Sequence, residues 1–528
     1  MKSPSAKTLM IVMGLGALPA FMAALWDDKA LQRYDLIIAA LVALLAWFWV
    51  KREHLVGDVS RMPYILAVAV AIMPTLISSF APGPITNDER AYFFQAEIFA
   101  QGDLSEELVS KDLASAFRRR QVFEDDQAGV RFSKYAPGTS IALVPSAILG
   151  WPLFSTLLCA LLDIYLVYKI AGLLKLKQNT RLAVTLFAIS PFFMLLNTSY
   201  QSEVFSLSAV LLAYFAFLKS RVKNYNWAAL IGAGCGMTFC VRPLTGVIFT
   251  LIFGLTMLRN QMWRQSLLAI VGGIPFLAAI LYFNHQTTGA ALTSTYELYA
   301  AKFGPFDANR EVLDVYGRGD FWAGLLRQFG RWSVAFGGML GAVALAFWGA
   351  WRMRSKDGGI AFFAAVLLPA AYALHWYAGH RLYLGPLYVI ETLPLLTIGF
   401  VYLISACPER IRRALPLAMV SFAGIMFVSR FNLIQLESVQ RSEPQIAIAK
   451  ADLPQRSVVF LPPTKNGNRE KAFKHWTPSR PSDLHGEGVV ILRTTRRLSP
   501  EVLTSRLNLG DRQRYLYDAQ DQSLSLIE

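Results

Sequence analysis

Long apolar runs recur along most of the chain and limit what it can fold into. They lie near 9–26, 34–50, 63–80, 151–172, 182–197, 202–218, 226–241, 243–258, 266–283, 333–350, 359–378, 384–404 and 414–430. A run of about 17 to 25 apolar residues is long enough to cross a bilayer as a helix. The runs therefore predict an all-α polytopic membrane protein with about 11 to 13 transmembrane helices.

The composition agrees with a membrane protein. Of the 528 residues, 54% are hydrophobic and only 16% are charged, which is outside the range of soluble globular domains. The net charge of +15 comes mainly from short basic linkers between the apolar runs and from the last hundred residues. Because such linkers mark the cytoplasmic side and attract anionic lipid, we expect membrane lipids as partners and no nucleic acid.

The basic linkers also divide the chain into domains. They predict that the loops 81–135 and 284–332 lie on the non-cytoplasmic side, with 137–150 as a short helix on that side. We expect residues 1–430 to form the transmembrane module and 431–528 to form a small soluble α/β domain on the outer face. In that domain, Ser457–Leu461 and Val489–Leu492 have strand patterns, and Pro500–Leu507 has a helix pattern.

The first large loop begins with two adjacent carboxylates, Asp88 and Glu89. Residues 88–101 have the mixed pattern of an interfacial helix, and 106–134 are too charged to insert, which predicts a loop or a second interfacial helix. A carboxylate at a membrane boundary can act as a general base. The alternative is that Asp88 or Asn87 caps the helix and Glu89 interacts with its positive end.

Further polar residues are expected on the same face. Lys134 and Tyr135, just before Pro137, could contact a phosphate, or could be an interfacial anchor before a helix that the proline starts. Glu203 could be a second acid or could complement a helix dipole. Arg242 could bind a lipid phosphate through its planar fork, or could be a snorkelling arginine.

The densest polar and aromatic cluster outside the first loop lies at 375–383 and includes His380, Arg381 and Tyr383. Its histidines do not have the spacing of a zinc site. No glycine-rich phosphate loop occurs in the chain, which argues against ATP-driven transport and against dinucleotide chemistry.

Taken together, these motifs resemble the GT-C superfamily of integral-membrane glycosyltransferases, in particular the bacterial relatives of protein O-mannosyltransferases and of aminoarabinose transferases. The resemblance covers roughly 1–430. It depends on four short stretches: Asp88-Glu89 followed by Tyr92; Tyr135-Ala136-Pro137-Gly138; Asn284 to Tyr299 with Tyr296; and Tyr383 to Tyr388. Ala136 and Leu387 depart from the family pattern, and Arg381 is the expected substitute for the arginine missing at Leu387.

The resemblance implies an inverting transfer of a sugar from a polyprenyl-phosphate-linked donor to a glycan, lipid or protein acceptor. Asp88 is then the expected catalytic base, with Glu89 second. Tyr92, Lys134, Tyr135, Glu203, Arg242, Tyr296, His380, Arg381 and Tyr383 are the expected substrate-binding residues. No cofactor is certain, and a divalent cation (Mg²⁺ or Mn²⁺) is left open. The implied location is the bacterial inner membrane, with the active site facing the periplasm.

Two other classes share these features. A transporter or flippase for a lipid-linked saccharide would use the same charges along a path, but the chain lacks the internal repeat that is common in transporters. An O-antigen polymerase or ligase would also use a lipid-linked substrate, but its large loop is expected late in the chain. We therefore expect an enzyme.

Overall fold

The computed structural model describes residues 64–80, 83–110, 112–176, 179–221, 224–303, 321–335, 342–353, 359–373, 385–462, 478–495, 497–518 and 521–527. Most of these residues are helical. The longer helices are Tyr64–Ser78, Asn87–Ala100, Gly138–Leu149, Phe154–Leu173, Thr180–Ala188, Pro191–Leu196, Ser202–Ser220, Ala228–Val241, Pro243–Arg259, Trp263–Thr288, Thr295–Phe303, Phe321–Ala335, Ala342–Met353, Gly359–Ala371, Leu393–Ile404, Glu409–Arg441 and Glu443–Ala451.

Within the described ranges, five helices are long and apolar enough to cross a membrane: Phe154–Leu173, Ser202–Ser220, Trp263–Thr288, Leu387–Ile404 (with its first 3₁₀ turn) and Glu409–Arg441. Four shorter helices are also apolar. The protein is a multi-pass membrane protein, as expected. The first two expected spans, 9–26 and 34–50, lie outside the described residues.

The described residues form two compact units. The helical unit consists of residues 64–77, 153–282 and 303–432. The mixed unit consists of residues 78–152, 283–302 and 433–527. The boundary near residue 432 falls inside the helix Glu409–Arg441, two residues after the expected end of the transmembrane module.

In the helical unit, small residues and prolines set the helix boundaries and crossings. A Cβ atom on Gly349 would lie 1.8 Å from the carbonyl oxygen of Gly399, so the helices Ala342–Met353 and Leu393–Ile404 can approach closely only with glycine there. The expected run 182–197 is two helices, because Pro191 has no N–H to continue the first one and starts the second.

In the mixed unit, the expected interfacial segment is the helix Asn87–Ala100, and Gly138–Leu149 is a separate helix that ends at Gly150 in the left-handed conformation. The expectation for 106–134 was wrong. This segment forms an antiparallel sheet of strands β1 (Glu106–Glu107), β2 (Val122–Asp125) and β3 (Val130–Ser133) in the order β1-β3-β2, with a short helix, Ala114–Phe117.

A turn explains the hairpin between β2 and β3. The Asp125 carboxylate accepts hydrogen bonds from the backbone N–H groups of Gln127 and Ala128, and Gly129 supplies a positive φ of 67°. Apolar side chains on both strands, such as Phe123 and Phe132, are buried. Charge density along the segment hid this alternation, and the turn residues were the signal that identifies the hairpin.

The C-terminal residues form the expected small α/β domain. Strands β4 (Ser457–Leu461), β5 (Val490–Arg493), β6 (Gln513–Asp518) and β7 (Ser523–Ile527) make one sheet in the order β5-β4-β6-β7. β4 is parallel to β5 and β6, and β7 is antiparallel to β6. The helix Pro500–Arg506 precedes β6. Three residues of the first loop, Leu113, Ala116 and Phe117, belong to the core of this domain.

Candidate functional site

The first polar cluster begins at the start of the helix Asn87–Ala100. Thr86 is the N-cap, and its side chain accepts a hydrogen bond from the backbone N–H of Glu89 at 3.1 Å. In return, Glu89 Oε2 accepts from the backbone N–H and the hydroxyl of Thr86, both at 2.9 Å. This is a capping box, so the alternative was wrong in naming Asp88 or Asn87 as the cap, but Glu89 does lie in the first turn of the helix as that alternative had it. In the sequence, the Thr-x-x-Glu spacing of Thr86 and Glu89 is the signal for this capping box.

Glu89 is therefore part of the N-terminal cap of this helix. Its side chain is buried, and Oε2 also accepts a hydrogen bond from the backbone N–H of Ile85 at 3.1 Å. This carboxylate oxygen therefore accepts three hydrogen bonds from Ile85 and Thr86. Asp88, the second residue of the helix, is only partly buried.

Asp88 precedes Tyr92 by four residues, which places both on the same face of the helix. Tyr92 is buried, and its ring centroid lies 4.6 Å from that of Tyr135. Tyr135 is the second residue after strand β3, so the helix start and the strand end meet at this ring pair.

Lys134 lies next to this pair and is only 3% exposed. Its Nζ lies 5.0 Å from the ring centroid of Tyr135, 5.3 Å from that of Tyr296 and 4.8 Å from that of Tyr299. The faces of aromatic rings attract an ammonium group. The hydroxyl of Thr295 donates to the backbone carbonyl of Lys134 at 2.9 Å, which joins the helix Thr295–Phe303 to the end of β3.

The structure thus brings together Tyr92, Lys134, Tyr135 and Tyr296, which the sequence placed in two separate loops. We call this group, with Tyr299, the lysine cage. It draws on three segments of the mixed unit: the helix Asn87–Ala100, the end of β3, and the helix Thr295–Phe303. Tyr299 is the last residue of the stretch Asn284 to Tyr299 on which the family resemblance depends, but it was not among the predicted site residues.

The second polar cluster lies in the helical unit and surrounds Arg242. Its Nη1 is 3.6 Å from Glu203 Oε1 and 3.4 Å from Glu391 Oε1. Its Nη2 donates to the carbonyl of Tyr388 at 3.2 Å, and the rings of Tyr372 and Tyr388 lie 5.3 and 5.0 Å from its guanidinium carbon. We call this group the arginine cluster.

The local sequence explains how Arg242 reaches its partners. A residue before proline is pushed out of the helical region, and Arg242 has an extended backbone (φ −142°, ψ 91°) between the helices Ala228–Val241 and Pro243–Arg259. Arg242 is buried and ion-paired, so the snorkelling alternative was wrong. The sequence left Glu203 as either a second acid of the site or a charge that complements a helix dipole, and the structure adds its ion pair with Arg242.

Glu391 was noted in the sequence as lying after the 375–383 cluster, but it was not among the expected site residues. It is fully buried, and Ser206 donates a hydrogen bond to its Oε1. Its signal was a lone carboxylate within the apolar run 384–404, because a buried charge needs a partner. The expected residues His380, Arg381 and Tyr383 lie outside the described residues.

Among the described ranges, no three His, Cys, Asp or Glu side chains come together as ligands for a metal ion. Glu89, the carboxylate next to Asp88, is held by the helix start. Asp88 and Glu89 alone therefore do not form a site for a divalent cation.

Buried charges also join the first loop to the C-terminal sheet within the mixed unit. Glu106 Oε2 lies 2.6 Å from Arg131 Nη2, and Glu106 Oε1 accepts from Arg480 Nε at 2.8 Å. Burial acts to raise the pKa of Glu106, but the two guanidinium groups outweigh it, and the pKa lies below its ordinary value. Burial raises the pKa of Glu97 in spite of Arg119, whose Nη1 is 3.8 Å away.

Comparison with known proteins gives a fold. No protein-family model and no curated protein sequence matches the chain. Among solved structures, ArnT from Cupriavidus metallidurans bound to undecaprenyl phosphate matches with a TM-score of 0.50 and 12% identity, over 86% of this chain and 93% of that chain. The oligosaccharyltransferase AglB from Archaeoglobus fulgidus matches with a TM-score of 0.39 and 11% identity, over 93% of this chain and 69% of that chain.

At 12% identity the ArnT match shows a shared fold. This shared fold agrees with the resemblance that the sequence motifs gave. In this chain it is a multi-pass helical protein with a small C-terminal α/β domain.

Proposed function

We propose that this protein is an inverting glycosyltransferase that takes a sugar from a polyprenyl-phosphate-linked donor and transfers it to an acceptor, with Asp88 as the base. The observation that carries the proposal is the lysine cage. It holds a buried cation beside Tyr92, on the helix face that also carries Asp88. The GT-C fold supports the class of reaction, and the matched ArnT structure contains undecaprenyl phosphate.

When a lipid phosphate is the leaving group, a cation that stabilises its negative charge helps more than a general acid that protonates it. When the sugar C1 leaves, the C1–O bond to phosphate breaks and its electron pair stays on the phosphate oxygen. The released lipid phosphate gains one negative charge, which the Lys134 ammonium can stabilise in a site with little water.

The acceptor supplies the new bond. Its hydroxyl or amine attacks C1 from the side opposite the phosphate, which inverts the anomeric configuration. The proton of the acceptor passes to the Asp88 carboxylate. Tyr135 and Tyr296 keep the ammonium in place, and the capping box fixes the start of the helix that carries Asp88.

The other expected site residues are also part of the proposal. Glu203, Arg242 and the residues His380, Arg381 and Tyr383 are proposed to bind the donor or the acceptor, and Glu89 is proposed to orient Asp88. We place the protein in a bacterial inner membrane with its active site facing the periplasm, because basic linkers mark the cytoplasmic side of a membrane protein.

The test is a product assay on the purified protein in nanodiscs. Several polyprenyl-phosphate sugars are offered with glycan, lipid and peptide acceptors, and released polyprenyl phosphate and the anomeric configuration of the product are measured. We expect one donor class to be consumed with inversion. Replacing Asp88→Asn should lower transfer by about 10²- to 10⁴-fold, the usual contribution of a general base.

A matched control lies at the other end of the same helix. Asp103→Asn removes an exposed carboxylate in the turn after Ala100 and should leave transfer unchanged. Equal rates for the two variants would remove Asp88 from its role. Retention of configuration would remove the inverting step.

One observation favours a second function, transport of a lipid-linked saccharide. Asp163 is fully buried in the middle of the apolar helix Phe154–Leu173, where Ser208 donates to its Oδ1 at 2.6 Å. An ionisable residue within a span is itself a functional candidate. Donor that moves between leaflets of a proteoliposome without losing its sugar would favour the transporter, and Asp163→Asn should then stop the movement.

A further inference from the structure

A buried glutamine of the mixed unit connects the helix Asn87–Ala100 to strand β3. Gln95 is fully buried. Its side-chain Oε1 accepts a hydrogen bond from the backbone N–H of Ser133 at 2.9 Å, and its Nε2 donates to the backbone carbonyl of Leu104 at 2.9 Å. The side-chain amide therefore ties the helix both to the end of β3 and to the segment that leads into β1.

The register of the sheet explains why an amide fits at this place. In the antiparallel pair of β1 and β3, Glu106 lies opposite Arg131. Two residues further along, the same register would place Leu104 opposite Ser133. These two do not pair directly, because β1 begins only at Glu106. The amide of Gln95 bridges them instead, as a peptide group of the ladder would.

Few side chains can form this bridge. The N–H of Ser133 needs an acceptor and the carbonyl of Leu104 needs a donor, so the bridging group must supply both. A primary amide has an acceptor oxygen and a donor nitrogen, whereas a carboxylate only accepts hydrogen bonds. Glutamine at position 95 therefore has the chemistry that the two strand segments require.

The bridge lies between the two groups to which the proposed function assigns the chemistry. Asp88 and Gln95 are seven residues apart, about two helical turns, so they lie on the same face of the helix. On the strand side, Ser133 directly precedes Lys134, and its hydroxyl accepts from the backbone N–H of Tyr135 at 3.3 Å. Gln95 thus connects the helix of the proposed base to the strand end that carries the ammonium.

Apolar packing alone would not fix this arrangement. Phe94 and Ile98 of the helix pack with Val122 of β2 in a small buried cluster. Apolar contacts are non-directional, so they hold the helix on the sheet without setting its position along the strand. Hydrogen bonds are directional, and Gln95 makes two of them across the same interface.

We propose that Gln95 is a positioning residue that sets where the Lys134 ammonium lies relative to the Asp88 carboxylate. This role rests on the proposed function, in which Lys134 receives the lipid phosphate and Asp88 takes the proton of the acceptor. Because Gln95 is fully buried, it acts through the helix and the strand end and not by contact with a substrate.

The surroundings of Lys134 separate this role from a purely structural one. Tyr135 adjoins Lys134 in the chain, and the helix Thr295–Phe303, which carries the other two rings around the ammonium, is hydrogen-bonded to the Lys134 carbonyl. All three rings therefore move with the strand end and not with the helix that carries Asp88. Loss of the bridge should leave phosphate binding intact and impair transfer, which needs both groups.

The test compares Gln95→Met with the wild type in nanodiscs. Methionine has a similar length but cannot donate to Leu104, and its sulfur is a weak acceptor for Ser133. We expect the turnover number for sugar transfer, with the donor and acceptor that the product assay identifies, to fall about 10- to 100-fold, because a small misplacement of reacting groups is costly. The affinity for a fluorescent polyprenyl phosphate should stay close to that of the wild type.

Residue-resolved hydrogen exchange tests the bridge without any substrate. The Ser133 amide should be protected in the wild type, and its protection should fall at least about tenfold in Gln95→Met, since it loses its acceptor. The amide of Lys134 is the internal control, because it donates to the backbone carbonyl of Gln121 and should stay protected. An unprotected Ser133 amide in the wild type overturns the proposal, even if Gln95→Met does not fold.

Gln127→Met is the matched control, because it makes the same change at an exposed glutamine in the turn between β2 and β3. It should leave turnover, affinity and exchange unchanged. If folded Gln95→Met keeps the wild-type turnover, or if its turnover and affinity fall together, the proposal is overturned. A wild type that binds polyprenyl phosphate but transfers no sugar removes the proposed function, and the exchange of Ser133 then decides whether Gln95 holds the strand end.

Discussion

The lysine cage and the arginine cluster are two ways of burying a cation, and they differ in what surrounds the charge. Arg242 lies against two carboxylates, Glu203 and Glu391, which carry enough negative charge to neutralise it. Lys134 lies against the faces of three tyrosine rings, which attract an ammonium group. The ion pairs of the first arrangement are costly to break, and the proposed function assigns the lipid phosphate to the second arrangement.

The largest expected effect in this comparison is on stability and comes from the arginine cluster. Arg242→Met leaves two carboxylates buried without their cation, and breaking a buried pair costs about 3–5 kcal/mol. We expect a loss of that size in the free energy of unfolding, measured in mixed detergent micelles. Arg221→Met, at an exposed arginine of the same unit, is the control and should have little effect.

A compensating variant sharpens this result. Adding Glu203→Gln and Glu391→Gln to Arg242→Met removes the uncompensated charges and should restore part of the lost stability. If Arg242→Met is as stable as the wild type, the arginine cluster does not hold the helical unit together.

The next largest effect is on the affinity for the lipid phosphate and comes from removing the cation of the lysine cage. Lys134→Gln removes the ammonium but keeps a side chain of similar length, so the affinity for a polyprenyl phosphate should fall by about 10- to 100-fold, the range of one charged hydrogen bond. Equilibrium binding of a fluorescent polyprenyl phosphate measures it. Lys302→Gln removes a half-exposed cation from the helix Thr295–Phe303 and should leave the affinity unchanged.

Stability and binding should separate in these variants. We expect Lys134→Gln to lower donor affinity with a much smaller loss of stability than Arg242→Met. If Lys134→Gln unfolds the protein as strongly as Arg242→Met while the folded fraction still binds donor normally, the lysine cage is structural.

The smallest effect is on pH dependence in the mixed unit. The pKa of Glu106 in the folded state lies below its ordinary value of 4.5, so its ion pairs stabilise the fold above that pH, and their contribution is lost as the pH falls through the lower folded value. The protection of peptides from 101–135 against hydrogen exchange, corrected for the intrinsic exchange rate at each pH, should fall below about pH 4.5 in the wild type. Glu106→Gln should flatten this change, and an unchanged profile would contradict the assignment.

Much of the lysine cage could be predicted from the sequence because its residues stand at the ends of elements that local patterns reveal. Tyr92 follows an acidic helix start, Lys134 and Tyr135 precede a proline, and Tyr296 lies in a polar stretch after an apolar run. The apolar periods likewise revealed most helices and the strand Ser457–Leu461, whose bounds are those predicted. What the patterns could not show was that residues about 160 positions apart share one cage, such as Lys134 and Tyr296.

Two of the misses have a common physical cause. Glu391 and the packing of Phe117 on the C-terminal sheet both depend on partners that are distant in the chain. Local hydropathy and charge report only a residue's neighbours in sequence. The capping box of Thr86 and Glu89 was an exception, because its Thr-x-x-Glu signal was local and was overlooked in favour of the adjacent carboxylate.

The most direct test of the central claim is to find which cluster touches the lipid phosphate. A polyprenyl phosphate with a photoreactive group next to the phosphate is irradiated on the full-length protein, and the labelled peptides are identified by mass spectrometry. The lysine cage predicts label on peptides that contain Lys134 and Tyr135 or Tyr296, competed by unlabelled polyprenyl phosphate. Label found only on peptides that contain Arg242 or Glu391 would contradict the account.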